Sequence, residues 1–207
     1  MPGQRAAEAV RREQIVKAAY HVASRPGVER LTVRDVAAKA RLSAGLVLFH
    51  FKSKDHLIEA LLDWLLATTA VLHIGPDVQR LGSPLDRLLA LLRQEMDRLA
   101  SEPRRIRLFF EFWVLGGRDA TIGRKMRAEL ARYREAFRPL VQAVLVTEPD
   151  RFAHVTADSL AAVAVSFVKG CAVQAMIDPD HFDIKGYLTA AEALLGELMA
   201  ASRPVTA

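Results

Sequence analysis

The feature that most constrains the fold of this chain is the helical spacing of its apolar residues, which proline and glycine interrupt at intervals. Apolar side chains recur every three or four positions, and the two-residue alternation typical of strands is nearly absent. Leu, Ala, Glu and Arg, which favour helices, dominate the sequence. The pattern therefore predicts an all-α protein of about nine helices.

Capping residues and helix breakers set the expected helix boundaries. Thr32 and Ser43 are typical N-caps, and Asp35 follows Thr32 where a shortened capping box would place it. We expect residues 202–207 to fray at the end of the chain. The predicted helices cover residues 8–24, 32–40, 43–49, 53–73, 84–101, 104–116, 119–146, 151–177 and 186–201.

Composition excludes several classes of protein. The 207 residues are 51% hydrophobic and 26% charged, which is globular rather than disordered. The single cysteine, Cys171, excludes a disulfide framework and a cysteine-based zinc finger. The longest apolar run, residues 159–168, is flanked by Asp158 and Lys169, and the N-terminus lacks the apolar segment of a secretion signal. We therefore expect a cytoplasmic protein that does not span a membrane.

The positive charge is concentrated near the N-terminus. Residues 1–55 contain 11 Lys or Arg and 5 Asp or Glu, whereas residues 56–207 contain 18 and 19. Such asymmetry favours a polyanion-binding region joined to a neutral body. A solvated basic face with no partner is the alternative reading.

Residues 31–55 contain two short predicted helices joined by a turn at residues 40–42. The small Ala37 lies where two helices would have to cross closely, which is helix-turn-helix geometry. In that geometry the second helix enters the major groove of DNA. The expected inward-facing residues are Val33, Val36, Ala37, Leu42, Leu46 and Val47.

This segment resembles the DNA-binding domain of the TetR family of transcriptional regulators over about residues 8–66. The family pattern opens the second helix with Thr and follows it with Val-Ala, Ser-x-Gly, aromatic residues, Phe-x-Ser-Lys and Leu. The matching residues are Thr32, Val36, Ala37, Ser43, Gly45, Phe49, His50, Phe51, Lys52, Ser53, Lys54 and Leu57.

The segment departs from the family pattern at three positions. Arg41 stands where the family pattern has a glycine in the turn, and glycine is the residue that best suits a positive φ angle. Leu48 replaces a tyrosine, and Ala44 replaces a polar residue, so the expected reading surface is unusually apolar. Direct readout would then depend on Ala44, Leu46, Phe49 and His50, including contacts with thymine methyl groups.

Physical chemistry suggests a role for each residue near the predicted groove. Helix N-termini at Thr32 and Ser43 favour phosphate, and Lys52 and Lys54 neutralise backbone charge. The alternatives are plain helix capping for Thr32 and Ser43, core packing for Phe49, and an exposed residue without function for His50. The candidate DNA-binding residues are Thr32, Arg34, Ser43, Ala44, Gly45, Leu46, Phe49, His50, Lys52 and Lys54.

The resemblance implies a DNA-binding domain at residues 1–55 and a helical ligand-binding and dimerisation domain at residues 56–207. It also implies that the last two helices form a four-helix bundle with a second copy, and packing within one chain is the alternative reading of their apolar stripes. Aromatic walls with a carboxylate suit an apolar or cationic ligand, and ordinary core packing is the alternative. The candidate ligand-binding residues are Trp64, Phe109, Phe110, Glu111, Trp113, Tyr133, Phe137 and Phe167.

The motif and the resemblance together favour a dimeric, sequence-specific DNA-binding repressor that a small-molecule effector releases from a palindromic operator. A dimer is also expected because one short recognition helix contacts few base pairs. The alternative is a helical ligand-binding or scaffolding protein with a degenerate DNA-binding module. We assign no catalytic residue, cofactor or metal site, because no phosphate loop or nucleophile motif is present and the pair His154 and Asp158 lacks a third ligand.

Overall fold

The computed structural model describes residues 2–68, 74–147, 149–150 and 152–200, and these residues form helices joined by turns and short loops. The all-α fold is confirmed, with ten helices in the described ranges. They are α1 (Pro2–Ala23), α2 (Val33–Ala40), α3 (Ala44–Phe51), α4 (Lys54–Thr68), α5 (Pro76–Gln79), α6 (Pro84–Ser101), α7 (Pro103–Leu115), α8 (Ala120–Thr147), α9 (Ala157–Ile177) and α10 (Ile184–Ala200).

The helix boundaries differ from the sequence prediction in three places, of which the first is the start of α1 at Pro2, six residues before the predicted start. The additional helix, α5, begins with Gly75 as N-cap and Pro76 in its first turn, and its four residues are too few to show a helical period. Helix α9 begins six residues later than predicted because the Thr156 hydroxyl accepts the Ser159 N–H at 3.1 Å and starts the helix there. The predicted end of α4 at His73 and the tail at 202–207 lie outside the described residues.

The turn between α2 and α3 is fixed by its caps. Thr32 accepts the Asp35 N–H at 3.2 Å and Ser43 accepts the Leu46 N–H at 3.1 Å, so both predicted N-caps are confirmed. Arg41 adopts a left-handed conformation with φ of 57°. The Leu42 N–H then bonds the Ala37 carbonyl at 2.9 Å, which closes the end of α2.

The chain divides into two compact units, of which the first comprises Met1–Ala70 and Arg104–Glu129. In it α1 packs on α2 and α4, and α3 packs on α2 and α4. Val36, Val47 and Phe51 are buried in its core together with Phe112 from α7. The predicted functional boundary between residues 55 and 56 falls at the start of α4, inside this unit, and remains a prediction about function.

The second unit comprises Val71–Pro103 and Leu130–Ala207. Its helix α6 packs against α5, α9 and α10. Helix α9 is long and apolar enough, by length and composition, to cross a membrane, although Asp158 and Lys169 interrupt it. Its buried side chains, among them Leu160, Val168 and Cys171, are those expected of a core helix in a packed domain.

Candidate nucleic-acid interface and effector-binding residues

Helix α3 has one buried face and one exposed face. Val47 and Phe51 are 0% and 3% exposed, whereas Leu48 and Phe49 are 40% and 66% exposed. Each apolar side chain placed inward contributes about 1.5–3 kcal/mol to stability, so this packing fixes the rotation of the helix. Leu48 and Phe49 are left on the solvent side of a short helix that the rest of the unit holds in place.

The first turn of α3 contains a half-buried alanine followed by an exposed glycine with free space around it. Ala44 is half-buried and packs against the core of the unit. Leu46 is half-buried and Gly45 is exposed. A Cβ atom built at Gly45 would lie 4.0 Å from the Ser43 hydroxyl, with no closer contact, so the fold itself does not require glycine there.

His50 lies beside Phe49, with the two rings edge to face at 5.4 Å. Its side chain is half-buried, and its Nδ1 atom is buried without a hydrogen-bond partner among the described residues. The backbone carbonyl of His50 accepts a hydrogen bond from the Arg12 guanidinium. His50 is therefore partly enclosed by its own unit.

Four further candidate residues lie at the start of α2, on α2, at the end of α3 and at the start of α4. Arg34 is exposed on α2, and Lys52 is exposed at the end of α3. The Lys52 Nζ atom lies 5.2 Å from the centre of the Phe49 ring. Lys54 donates to the Glu29 carbonyl at 2.9 Å and so joins the start of α4 to the loop before α2. The Thr32 hydroxyl donates to the Asp35 carboxylate at 2.6 Å.

Helix α1 holds the ends of α2 and α3 through side chains that sequence reasoning did not assign to this task. The Arg12 guanidinium, besides its bond to the His50 carbonyl, lies 4.3 Å from the centre of the Phe51 ring. Gln14 donates to the Ala40 carbonyl at 3.0 Å. The sequence feature that could have indicated this role is that Arg12 and Gln14 lie close in sequence to Ile15, which is buried.

Among the candidate ligand-binding residues, Glu111 of α7 contacts the loop after α1. Its Oε2 atom accepts the Val28 N–H at 2.7 Å. Gly27, at φ of 93°, lies so close that a Cβ atom there would be 3.0 Å from the same oxygen. The carboxylate therefore already serves a backbone group of the first unit.

The first-unit aromatic candidates form two groups. Phe109, Phe110 and Trp113 have ring centres within 6.0 Å of one another, and Trp113 is 39% exposed. Trp64 lies 5.3 Å from the Tyr20 ring and 5.4 Å from the Arg105 guanidinium. One face of Trp64 is thus occupied by a cation of the protein itself.

The second unit contains a buried polar cluster that sequence reasoning missed. Glu95 of α6 is 1% exposed, accepts the Tyr133 hydroxyl at 2.5 Å and pairs with Arg98 at 2.7 Å. Lys169 lies 4.4 Å from the centre of the Tyr133 ring, and Phe137 packs edge to face with it at 5.8 Å. The signal was the i, i+3 spacing of Glu95 and Arg98 on the apolar side of α6.

The cluster alters the protonation of its members. Burial and the neighbouring Glu95 carboxylate raise the pKa of Tyr133 far above its ordinary value. Burial lowers the pKa of Arg98, but the hydrogen bond and charge of Glu95 outweigh it, so the net shift is upward. The arrangement is a neutral phenol and a guanidinium sharing one carboxylate.

Phe167, the last ligand candidate, lies in the second unit with its ring 6.4 Å from that of Tyr187. The Tyr187 hydroxyl donates to the Phe167 carbonyl at 3.1 Å. The ligand candidates thus form one set in the first unit, at Trp64 and on α7, and another in the second unit, at Tyr133, Phe137 and Phe167. Their role in ligand binding remains a prediction.

No grouping that would hold a metal occurs within the described ranges. Asp158 pairs with Arg138, and His154 is exposed. Burial raises the pKa of the Cys171 thiol to about 11, so the sulfur is a protonated core group at neutral pH.

Helices α9 and α10 carry exposed apolar side chains as well as buried ones. Val163 and Ile177 of α9 are 46% and 72% exposed, and Leu194 of α10 is 57% exposed. The side chains of Leu195, Leu198 and Met199, part of the predicted α10 stripe, lie outside the described residues.

Comparison with known proteins gives matches over both parts of the chain. The family model "Bacterial regulatory proteins, tetR family" matches residues 15–61, and the model "BetI-type transcriptional repressor, C-terminal" matches residues 84–200. The HTH-type transcriptional regulator BetI of Stenotrophomonas maltophilia is 30% identical over 58% of this chain and 62% of its own length. BetI of Cronobacter sakazakii is 23% identical over 94% of both chains.

A solved transcriptional regulator from Saccharomonospora viridis, in complex with choline, shares the fold. It matches with a TM-score of 0.67 at 16% identity, over 92% of this chain and 96% of its own. At that identity the likeness concerns the fold alone.

Proposed function

Because the chain belongs to the TetR family of bacterial transcriptional regulators, and is a DNA-binding regulator rather than an enzyme, we propose a specific mode of action for it. Two copies bind a palindromic operator in the cytoplasm, each placing α3 in the major groove. A small-molecule effector then releases the repressor from this operator. The predicted DNA-binding residues around α3 make the contacts.

The observation that supports this proposal is that α3 is anchored on one face and exposed on the other. The helix is capped by Ser43, anchored by Val47 and Phe51, and exposes Phe49 beside the cationic Lys52. It belongs to residues 1–55, which have a basic excess, and Lys52 and Arg41 are exposed on either side of it in the chain. A short helix that is held by its neighbours within a basic segment of the chain suits insertion into a groove of DNA. A degenerate module would still need the caps to fold, but it would not need the positive charge beside an exposed apolar face.

The open position at Gly45 supports a close approach of the DNA backbone. The fold leaves room for a side chain there, yet glycine weakens a helix relative to alanine. Gly45→Ala should therefore stabilise α3 while weakening duplex binding. Helix stability and affinity that rise together would contradict the close approach.

The direct test is selection of duplexes from a random library by the purified protein, followed by salt titration of binding. We expect enrichment of a palindrome whose half-sites are separated by about one helical turn or a multiple of it. Lys52→Ala should weaken binding to all duplexes and lower the salt slope by about one. The matched control is Arg80→Ala, which removes an exposed cation from the second unit. Retention without enrichment, or an unchanged slope for Lys52→Ala, would contradict the proposal.

For the effector, the contacts favour an apolar small molecule. Glu111 is engaged by the Val28 N–H, and Glu95 by Tyr133 and Arg98, so neither carboxylate stands ready for a ligand cation. The Trp64 and Tyr133 rings already face Arg105 and Lys169. A cationic effector is the second candidate, because the solved relative from Saccharomonospora viridis holds choline.

Two probes with equal alkyl chains separate these candidates. A linear alcohol and the corresponding alkyl trimethylammonium ion would be titrated against the protein bound to its selected duplex. Stronger release by the alcohol supports the apolar effector, and stronger release by the ammonium ion supports the cationic one. Release by neither at concentrations below micelle formation would contradict both.

The dimer contact is proposed to lie on α9 and α10. Exposed Val163 and Leu194 give these helices an apolar surface that a second copy would cover about a two-fold axis. Leu194→Glu should shift the mass measured by light scattering from dimer to monomer, whereas Val146→Glu on α8 should not. A dimer that survives Leu194→Glu would place the interface elsewhere.

A further inference from the structure

We infer that Phe49, with Leu48 beside it, reads the 5-methyl group of pyrimidines in the major groove, so that binding depends on thymine methyl groups at the contacted positions. The inference rests on the proposed DNA-binding function and names its specificity. It makes Phe49 a specificity-determining residue rather than a core aromatic or a phosphate contact.

The first reason is the exposure of two large apolar side chains on the solvent side of α3. Phe49 is 66% exposed and Leu48 is 40% exposed, while Val47 and Phe51 supply the packing that holds the helix. Neither exposed side chain is needed to anchor α3. A contact that removes them from water would be favourable because burial of apolar surface drives association.

The second reason is what α3 lacks. Residues Ala44–Phe51 contain no Arg, Lys, Asn, Gln, Asp or Glu, and His50 is the only polar side chain among them. The His50 Nδ1 atom is buried, and the Ser43 hydroxyl is used by the Leu46 N–H. Hydrogen-bonded readout of bases depends largely on Arg, Lys, Asn and Gln, whereas apolar side chains contact the thymine methyl group. The chemistry of α3 therefore matches the methyl group.

The third reason is the charge around the apolar pair, which identifies the occupant as duplex DNA. Lys52 lies 5.2 Å from the centre of the Phe49 ring, so a cation and an apolar surface are presented side by side. Arg34 and Arg41 are exposed on the neighbouring helix and turn. A partner that offers phosphates and an apolar base substituent within a few ångströms is the major groove at a thymine.

The experiment replaces each thymine of the selected operator, one at a time, by uracil. The exchange deletes one methyl group and keeps the base pair and the O4 acceptor. For one buried methyl-sized group we expect affinity to fall about three- to fivefold at a contacted thymine. Uncontacted positions should show no change and serve as controls within the same duplex.

Protein variants assign the effect to the side chain. Phe49→Ala should bind thymine and uracil duplexes equally while keeping its salt dependence. Val146→Ala, a truncation at a residue 78% exposed on α8, should discriminate as the unchanged protein does. Circular dichroism would verify that Phe49→Ala is folded, which is expected because the side chain anchors no core.

The outcomes separate this inference from the proposed function. Discrimination between thymine and uracil that disappears in Phe49→Ala supports it. Equal binding of both duplexes by the unchanged protein overturns it and leaves sequence-specific binding intact. Discrimination that persists in both Phe49→Ala and Leu48→Ala moves the methyl contact to another residue and also overturns it. Failure to select any operator would overturn the proposed function first.

Discussion

The two units of the molecule use polar side chains in different ways. Around the helix-turn-helix, long-range hydrogen bonds end on backbone atoms: Arg12 on the His50 carbonyl, Gln14 on the Ala40 carbonyl and Glu111 on the Val28 N–H. In the second unit, Glu95 bonds the side chains of Tyr133 and Arg98 in a buried cluster.

The backbone-directed bonds of the first unit set geometry, whereas the buried cluster of the second unit sets stability. A side chain that bonds a helix end orients that helix, and removing it costs one hydrogen bond of about 1 kcal/mol. A buried carboxylate shared by two groups stabilises only while all partners are present, because each orphaned polar or charged group is costly in a low-dielectric core. Mutations in the first unit should therefore mainly affect DNA binding, and those in the cluster mainly stability.

The largest expected effect is at Glu95. Glu95→Ala leaves the Arg98 guanidinium and the Tyr133 hydroxyl without their partner, so we expect a loss of about 3 kcal/mol in the free energy of unfolding. The matched control is Glu135→Ala, which removes an exposed partner of Arg138 at the same i, i+3 spacing and should cost less than about 1 kcal/mol. Urea unfolding at constant protein concentration measures both. Equal losses in the free energy of unfolding would mean that the buried cluster contributes no more than an exposed ion pair.

Arg12 should affect duplex affinity more than stability, which is the reverse of Glu95. Arg12→Ala removes a bond to the end of α3 and a cation above the Phe51 ring, for an expected cost of about 1–2 kcal/mol. Duplex affinity should nevertheless fall more than it does for Glu95→Ala, because α3 loses its tie to α1. Arg25→Ala, which removes an exposed cation from the turn after α1, is the control for charge. An affinity loss confined to Glu95→Ala would contradict the role of Arg12 in orienting α3.

Sequence reasoning predicted the first unit well because its signals are local. Thr32 and Ser43 mark the starts of their helices, because each hydroxyl accepts the backbone N–H of the residue three positions later. The buried positions of Val36 and Val47 follow from helical period alone. The exposure of Phe49 was open on sequence because an aromatic residue suits either face, and the structure places it outward.

The second unit was harder to predict because its defining contacts are distant in sequence. Glu95 and Tyr133 are separated by 38 residues, and a glutamate on an amphipathic helix normally faces water. The Arg12 contact with His50, in the first unit, spans the same separation and was missed for the same reason, because an arginine on a helix normally faces water. Helix α5 was missed because Gly-Pro-Asp is a typical turn sequence.

A third prediction tests the strain in the turn. Arg41 at φ of 57° is in a conformation that costs a residue with a Cβ atom about 1 kcal/mol relative to glycine. Arg41→Gly should therefore raise the free energy of unfolding by about that amount. Arg41→Ala is the matched control, because it removes the same charge and keeps the Cβ atom. If both variants are equally stable, the backbone strain is negligible. A drop in duplex affinity common to both would belong to the lost cation.

The smallest effect concerns the pH dependence of the buried cluster. The folded state raises the pKa of Tyr133, through burial and Glu95, above the ordinary tyrosine value of about 10 in the unfolded chain. Below about pH 10 the phenol is neutral in both states and stability does not depend on it. Above that pH only the unfolded chain releases the proton, so the folded state loses stability as pH rises.

Tyr133→Phe should remove this part of the alkaline slope while lowering stability at neutral pH, because Glu95 loses a donor. Urea unfolding at pH 8 and pH 10.5 measures both changes. Cys171, whose pKa is about 11, is retained in both proteins, so its own alkaline contribution cancels. An identical slope in the two proteins would mean that the hydroxyl of Tyr133 reaches solvent, and the contrast between the backbone-directed bonds of the first unit and the enclosed cluster of the second would lose its physical basis.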